Sequence, residues 1–486
     1  MELGINRSKA GSVISVAILL LSIILFVWTG QFLLLAVPFV YLYILLVGAN
    51  WKLAYWIFLF TIPLSIDLWF FGGSLSTTVP DEPMMWAFLL MFILMVCNNP
   101  RILPEWWLRH PIVLVVALQF VWLIVAVVFS QEPLFSLKFL LAKCWFLVSF
   151  FVLPVFIFRE KKDYRIAFWV ILIPLLVTMI IIFYRHYLTG FHFRKIEKAI
   201  GMLYYNHVDY STFMSMFFPA VALGYSLTKG KSWFIRIPFL LMLIFFLPVI
   251  YFTYARAAIL AVIFAYVVYL AIRLRLANLM MPVIYGIMAL LLTYMITDNK
   301  FIDFRPTFHK TYMHKTWTDH IIATFRGEDM SSMERLYRWI AGVRMSNDRP
   351  IVGYGPNSFY YHYKPYAVNS FRTYVSRNEE MSTTHNYFLF MLVEQGWPAM
   401  ILYAILLMVF FYHAQKTYYR FRDPFYRKVT MMVAMMFGAG FVNNFFSELL
   451  ETHKVGALFY ISLALLVILD KKSRDLEKEE QGKLPA

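Results

Sequence analysis

The chain has 486 residues, 61% of them hydrophobic and only 15% charged, with a mean hydropathy of +0.65. No soluble domain of this size carries so much apolar sequence with so little charge, so a water-soluble globular enzyme is excluded. A formal charge of +16 points to nucleic acid in a soluble protein; here loop charge beside a membrane is the simpler reading, and no nucleic-acid partner is expected.

Apolar runs of seventeen or more residues recur from end to end, which defines an all-α polytopic membrane protein. In chain order the spans read as roughly 11–28, 31–47, 52–68, 84–97, 111–129, 137–158, 166–184, 206–227, 233–251, 255–271, 277–297, 384–413, 427–447 and 455–470. The pair 11–47 could be a tight hairpin and 84–97 is short, so twelve to fourteen spans are expected. The first run has no small-residue cleavage site and reads as an uncleaved span. Cys97 and Cys144 lie in separate apolar segments and imply neither zinc nor a disulfide framework. These elements suggest five regions: N-terminal helices at 1–184, central helices with a basic external loop at 185–297, a large external loop at 298–383, C-terminal helices at 384–470 and a charged tail at 471–486.

With the N-terminus inside, the cytoplasmic segments hold 24 of the 44 Lys and Arg, as in "REKKDYR" (159–165) and "QKTYYRFRDPFYRK" (415–428). The external loops at 69–83, 130–136 and 252–254 hold none. This asymmetry places both termini in the cytoplasm. Two external segments break the rule. The 185–205 loop carries Arg185, Arg194, Lys195 and Lys198 against Glu197, and the 298–383 loop carries twelve Lys and Arg. Lys138, Lys143 and Arg256 fall inside spans near the external face, where a cation either snorkels to the interface or marks a site. Cations gathered outside suggest an anionic ligand such as a phosphate or pyrophosphate headgroup, which an Arg fork grips in bidentate fashion.

The large loop is too long for a connector. It opens with aromatics and histidines, "FRPTFHKTYMHKTWTDH". From Ser331 to about Met345 the pattern is helical, with Ser331 or Ser332 as cap and Leu336, Trp339, Ile340 and Val343 as the apolar stripe. "DRPIVGYGPNSF" then reads as a tight turn. The aromatics that follow suit either sugar rings or the membrane interface. Thr383 and Thr384 are candidate caps for the next span, which puts His385 in its first turn.

Three stretches stand in order: "YARAAIL" (254–260), "RLYRWIAGVRMSNDRPIVGYGPNSF" (335–359) and "THNYFLFMLVEQGW" (384–397). Together they resemble the O-antigen ligase and polymerase family of bacterial glycosyltransferases, over roughly residues 200–447. Its motifs fall on Arg256, on Arg335 with Trp339, on Pro350 with Gly353 and Gly355, on His385-Asn386, and on Glu394 with Gly396. Two departures stand out. The first motif reads Ala-Arg-Ala where the family has Ser-Arg-Gly, and Arg338 is not demanded by the pattern.

The resemblance implies a GT-C-like, multi-spanning glycosyltransferase of the bacterial inner membrane, working at the periplasmic face without metal or cofactor and with inversion. It implies an undecaprenyl-pyrophosphate-linked glycan as donor and membrane lipids as surroundings. The acceptor hydroxyl belongs to lipid A core, to a growing polysaccharide or to a protein, and O-antigen ligation to lipid A core is the expected branch.

The chemistry needs a base for the acceptor hydroxyl and positive charge for the departing pyrophosphate. His385 is the natural base, since an unperturbed imidazole titrates at about 6.5 and a helix N-terminus favours its neutral form. It could instead only hydrogen-bond the acceptor or a phosphate oxygen. Arg256 and Arg335 are the expected pyrophosphate clamp. Arg338, Asn386, Lys143 and Arg185 are expected to bind substrate, with Lys138 and Arg194 as further candidates. "YYNHVDYS" (204–211) either adds acceptor contacts through Asn206 and His207 or is a polar helix cap. A divalent ion at Asp67, Asp81 and Glu82 is the alternative to a metal-free site, although "VPDEP" reads well as a turn. A transporter of an anionic lipid-linked oligosaccharide is the competing class, but the intramembrane cations cluster at one face and no repeat is evident.

Overall fold

The structure, a computed structural model, describes residues 9–30, 34, 36–70, 75–297, 330–367 and 383–482. The aromatic, histidine-rich start of the large loop therefore lies outside the described residues. Among the described residues, ten helices are long and apolar enough to cross a membrane, so the chain is a multi-pass α-helical membrane protein.

The fourteen segments read from hydropathy meet these ten at four informative places. The N-terminal helix Lys9–Thr29 has a short apolar stretch, Ile14–Thr29. The segments 31–47 and 52–68 form one continuous assignment, Val37–Thr61, broken at Asn50. There the Asn50 side chain caps the second arm by accepting from Leu53 N, and the Tyr43 hydroxyl reaches the Ala54 carbonyl at 3.2 Å. A straight helix would separate those residues by about 16 Å, so the chain bends back sharply. Helices His207–Leu227 and Pro424–Phe445 are long enough to cross but less apolar, because they bury Ser211, Thr212, Ser215, Asn443 and Asn444 among protein rather than facing lipid.

The chain divides into two compact units. One comprises Met1–Leu103, Cys144–Ile182 and Gly201–Tyr205. Its core stacks Phe58 on Phe150 and sets Phe88 edge-on to Phe58, while the Tyr55 hydroxyl donates to Ser149 O. An antiparallel hairpin, Ile66–Phe70 with Leu75–Val79, stands where a helical span reading ran to residue 68. Glu82 closes it by accepting from Thr77 Oγ1 and Thr78 N.

The other unit comprises Pro104–Lys143, Phe183–Ile200 and Asn206–Ala486 and holds every leading site candidate. Its central helix, His453–Gln481, is buried along almost its whole apolar stretch. Phe410, Phe437 and Phe459 stack in series around it. The Arg256–Arg273 and Pro424–Phe445 helices pack antiparallel, with Phe264 against Phe441 and Val268 against Gly438. That register carries Arg256, at the start of its helix, to the end of the pair where Phe445 and Glu448 lie.

Candidate active site

The site is built where the Tyr387–Arg420 helix begins. Asn386 is its cap, accepting from Leu389 N, and its amide also donates to Phe445 O. Thr384 instead donates to Asn386 O, and Thr383 donates to the Glu448 carboxylate. The expected Thr caps are thus replaced by Asn386, whose side chain reaches over the first turn to the N–H three residues ahead, as a cap must. His385 sits before the helix rather than in its first turn, with φ +50°.

His385 Nδ1 lies 3.7 Å from Glu448 Oε1. The His385 backbone N–H also donates to Glu448. About a third of the His385 side chain is exposed, so the ring is recessed but open on one side. Its pKa falls to about 3, first because of burial and then because the positive charges of Arg338 and Arg335 oppose a proton there. Burial pushes the Glu448 carboxyl up to about 7, against the pull of His385 N–H and the same two arginines. Charge from Arg335 and Arg338 thus reaches both groups. Glu448 belongs to no motif read from the sequence. It is only one of two acids in the short "SELLETHK" segment, which forms no recognisable pattern.

Arg335 and Arg338 stand on the Met330–Asp348 helix. Ser331 and Ser332 lie inside that helix rather than capping it. The buried face runs through Glu334, Tyr337, Ala341 and Met345, not through Leu336, Trp339, Ile340 and Val343. The helix packs on the long Tyr387–Arg420 helix, with Gly342 against Val393 and Trp339 edge-on to Phe445. Placing a polar Glu334 on the inner face serves Arg338, which pairs with it at 3.9 Å. Burial raises the Glu334 pKa while Arg338 lowers it.

The remaining candidates divide by what they touch. Lys143 is buried in a pair with Glu451 at 2.6 Å, and Tyr387 donates to the same carboxylate at 2.7 Å. Its charge is already neutralised, which makes it a poor pyrophosphate ligand. Asn206 is spent on capping His207–Leu227, accepting from Val208 N and Asp209 N. His207 is hydrogen-bonded to Glu197, so the helix-cap reading of that stretch is the one the geometry favours. Lys138, Arg185 and Arg194 are exposed. Arg256 is half-buried at its helix start.

The Glu-x-Gly and Pro-x-x-Gly-x-Gly motifs form one joint. Gly396 breaks the long helix with φ +79° and ψ 179°, and Pro398 follows. The break frees the carbonyls of residues 393–395. Tyr354 N takes Val393 O, Gly355 N takes Glu394 O and the Trp122 indole takes Gln395 O, at 2.7–2.9 Å. Trp397 N in turn bonds Pro350 O. The Glu394 carboxylate accepts from the backbone N–H of Asn357, Ser358 and Phe359. These residues therefore hold the loop that follows the arginine helix.

Among the described residues one cluster has metal-ligand composition: His110, His413 and Asp470, all buried. It lies toward the opposite end of the long helix from His385. The cluster suits a hydrogen-bonded charge group better than a metal. His110 Nδ1 accepts from Ile112 N, which leaves the proton on Nε2, facing Asp470 at 3.3 Å. Asp470 is further bonded by Arg420, Arg474 and Thr417.

The fold and the site define a polytopic membrane protein with a recessed His–Glu pair beside two arginines. Residues 239–404, about a third of the chain, match the O-antigen ligase family. This matches the resemblance drawn from the motifs and supports a membrane glycosyltransferase domain of the O-antigen ligase and polymerase type. No curated protein matches the chain.

Proposed function

We propose that the protein transfers a glycan from undecaprenyl pyrophosphate to an acceptor hydroxyl at the periplasmic face of the bacterial inner membrane, as in O-antigen ligation to lipid A core. The observation that carries this reading is the placement of Arg335 and Arg338 within electrostatic reach of His385. His385 is the base and is neutral at external pH. Its basicity is low in the free protein, first because the ring is buried and then because the arginines oppose the added proton. A bound pyrophosphate offsets those charges and raises the basicity of the ring when both substrates are present. Arg335 and Arg256 stabilise the leaving pyrophosphate, whose charge grows in the transition state. Arg338 adds to that field.

These roles predict different damage. His385→Ala should keep donor binding and lose turnover by about 10²-fold or more. Arg335→Ala should weaken both, and Arg335→Lys should recover only part, because an ammonium lacks the planar two-donor fork. Donor binding and single-turnover transfer with purified variants test this; near-wild-type turnover by His385→Ala removes the base assignment. Presenting lipid A core, polysaccharide and protein acceptors in parallel separates ligation from polymerisation and from protein glycosylation.

A further inference from the structure

We propose that Glu448 is the positioning partner of His385: it orients the ring and stabilises the positive charge the ring gains when it takes the acceptor's proton. This rests on the glycosyl-transfer reading above.

The two residues come from different external segments, yet the Glu448 carboxylate faces His385 Nδ1 at 3.7 Å. The Thr383 hydroxyl and the His385 N–H both donate to that carboxylate, which fixes it against the backbone on either side of the ring. Its second oxygen, Oε2, is buried with no hydrogen-bond partner among the described residues. A buried carboxylate oxygen left unmatched is costly for folding alone. The charged groups acting on it are Arg335 and Arg338 from the outer helix, while Glu451 nearby is engaged by Lys143 and Tyr387. In free enzymes such catalytic hydrogen bonds are commonly long and shorten when substrate binds.

The step balances as follows. The acceptor O–H proton passes to His385 Nε2 while the acceptor oxygen bonds the anomeric carbon. The bond from that carbon to the pyrophosphate oxygen breaks, and its electron pair leaves with the pyrophosphate beside Arg335 and Arg338. The ring now carries one positive charge, and its Nδ1–H points to Glu448. An ionised carboxylate there holds the tautomer that leaves Nε2 free to accept and then stabilises the imidazolium. With Glu448 titrating at about 7, the competent form gains ground as pH rises through that value.

A purely structural Glu448 predicts something else, and Glu448→Gln separates the two. The amide oxygen keeps an acceptor for Thr383 and His385 N–H but removes the charge. We expect turnover to fall by about 10²-fold, the pH limb near 7 to vanish, and undecaprenyl pyrophosphate to bind as well or more tightly, because a negative charge beside the arginines has gone. Glu448→Asp, which keeps the charge, should restore part of the turnover and the limb. The measurements are undecaprenyl pyrophosphate binding and single-turnover transfer across pH, using the full-length protein in nanodiscs and a lipid-linked oligosaccharide donor. Wild-type turnover and pH profile in Glu448→Gln overturn the proposal. So does parallel loss of pyrophosphate binding and turnover in Glu448→Gln with no recovery in Glu448→Asp. If wild type transfers, His385→Ala does not and Glu448→Gln matches wild type, this proposal alone fails. If wild type transfers from no lipid-linked donor, the underlying function fails.

Discussion

His385 adopts a left-handed backbone that a residue with a side chain occupies uncommonly, and it does so beside a carboxylate that burial holds near neutrality. Both features store free energy at the mouth of the site, and their pH signs differ. The His385 pKa is depressed, so the folded state disfavours the proton and this contribution to stability is lost as pH falls below about 6.5. The Glu448 pKa is raised, so its ionisation weakens the fold as pH rises from the ordinary carboxylate range through about 7. Glu448→Gln should therefore raise the thermal unfolding midpoint at pH 8 and change it little at pH 5, while activity falls; a lower midpoint at pH 8 would contradict this. The acids engaged elsewhere bear on a metal-dependent alternative. Glu82 is occupied by the hairpin, Asp470 by arginines, and Glu451 by Lys143. Transfer should survive EDTA, and loss restored by Mg²⁺ would redirect attention to Asp81 and Asp67. The sequence displayed His385 and the arginines because each sits in a motif. It hid Glu448, whose importance comes from a contact between two distant loops that no local pattern encodes.

The Gly396 joint shows what the motif glycines do. A Cβ on Gly396 would lie 1.9 Å from Ile351 O, and one on Gly353 would lie 2.5 Å from the Glu394 backbone. Both glycines also hold positive φ. Gly396→Ala should thus lower stability by on the order of 3 kcal/mol or more and abolish transfer, because the loop behind the arginine helix can no longer dock. Gly286→Ala is the control: no atom lies within 4 Å of the added carbon. Thermal midpoints in detergent decide it; equal midpoints for the two variants would mean that the joint is not rigid. Chain order and turn chemistry made the turn legible, as they did the broad helical plan. They could not show that Tyr354 and Gly355 donate to carbonyls of a helix forty residues on, since the helix break creates those acceptors. Hydropathy also assigns the wrong buried face to the Met330–Asp348 helix. The polar Glu334 faces inward toward Arg338, and hydropathy alone assigns such a residue to solvent.

The long Tyr387–Arg420 helix separates two kinds of chemistry. At its start stand His385, Glu448 and the two arginines; toward its end stand His110, His413 and Asp470, with Arg420 and Arg474. Thirty-four residues at about 1.5 Å each exceed the hydrocarbon thickness of a bilayer even with the break at Gly396, so the two clusters belong to opposite faces. Charge bias then predicts which face is which. The basic 415–428 segment and the charged tail lie at the Asp470 end, while the loops at 130–136 and 252–254, which carry no Lys or Arg, lie at the His385 end. The cations at the His385 end therefore run against the general bias, which is what the proposed anionic lipid carrier would require. In a Cys97→Ser, Cys144→Ser background, Asn347→Cys should react with an impermeant maleimide on intact cells. Arg422→Cys should react only after the membrane is opened. Both positions are exposed, so a failure to label reports sidedness and not burial. The reverse pattern would put His385 and its arginines in the cytoplasm, away from a periplasmic acceptor, and would end the glycosyl-transfer reading for this face.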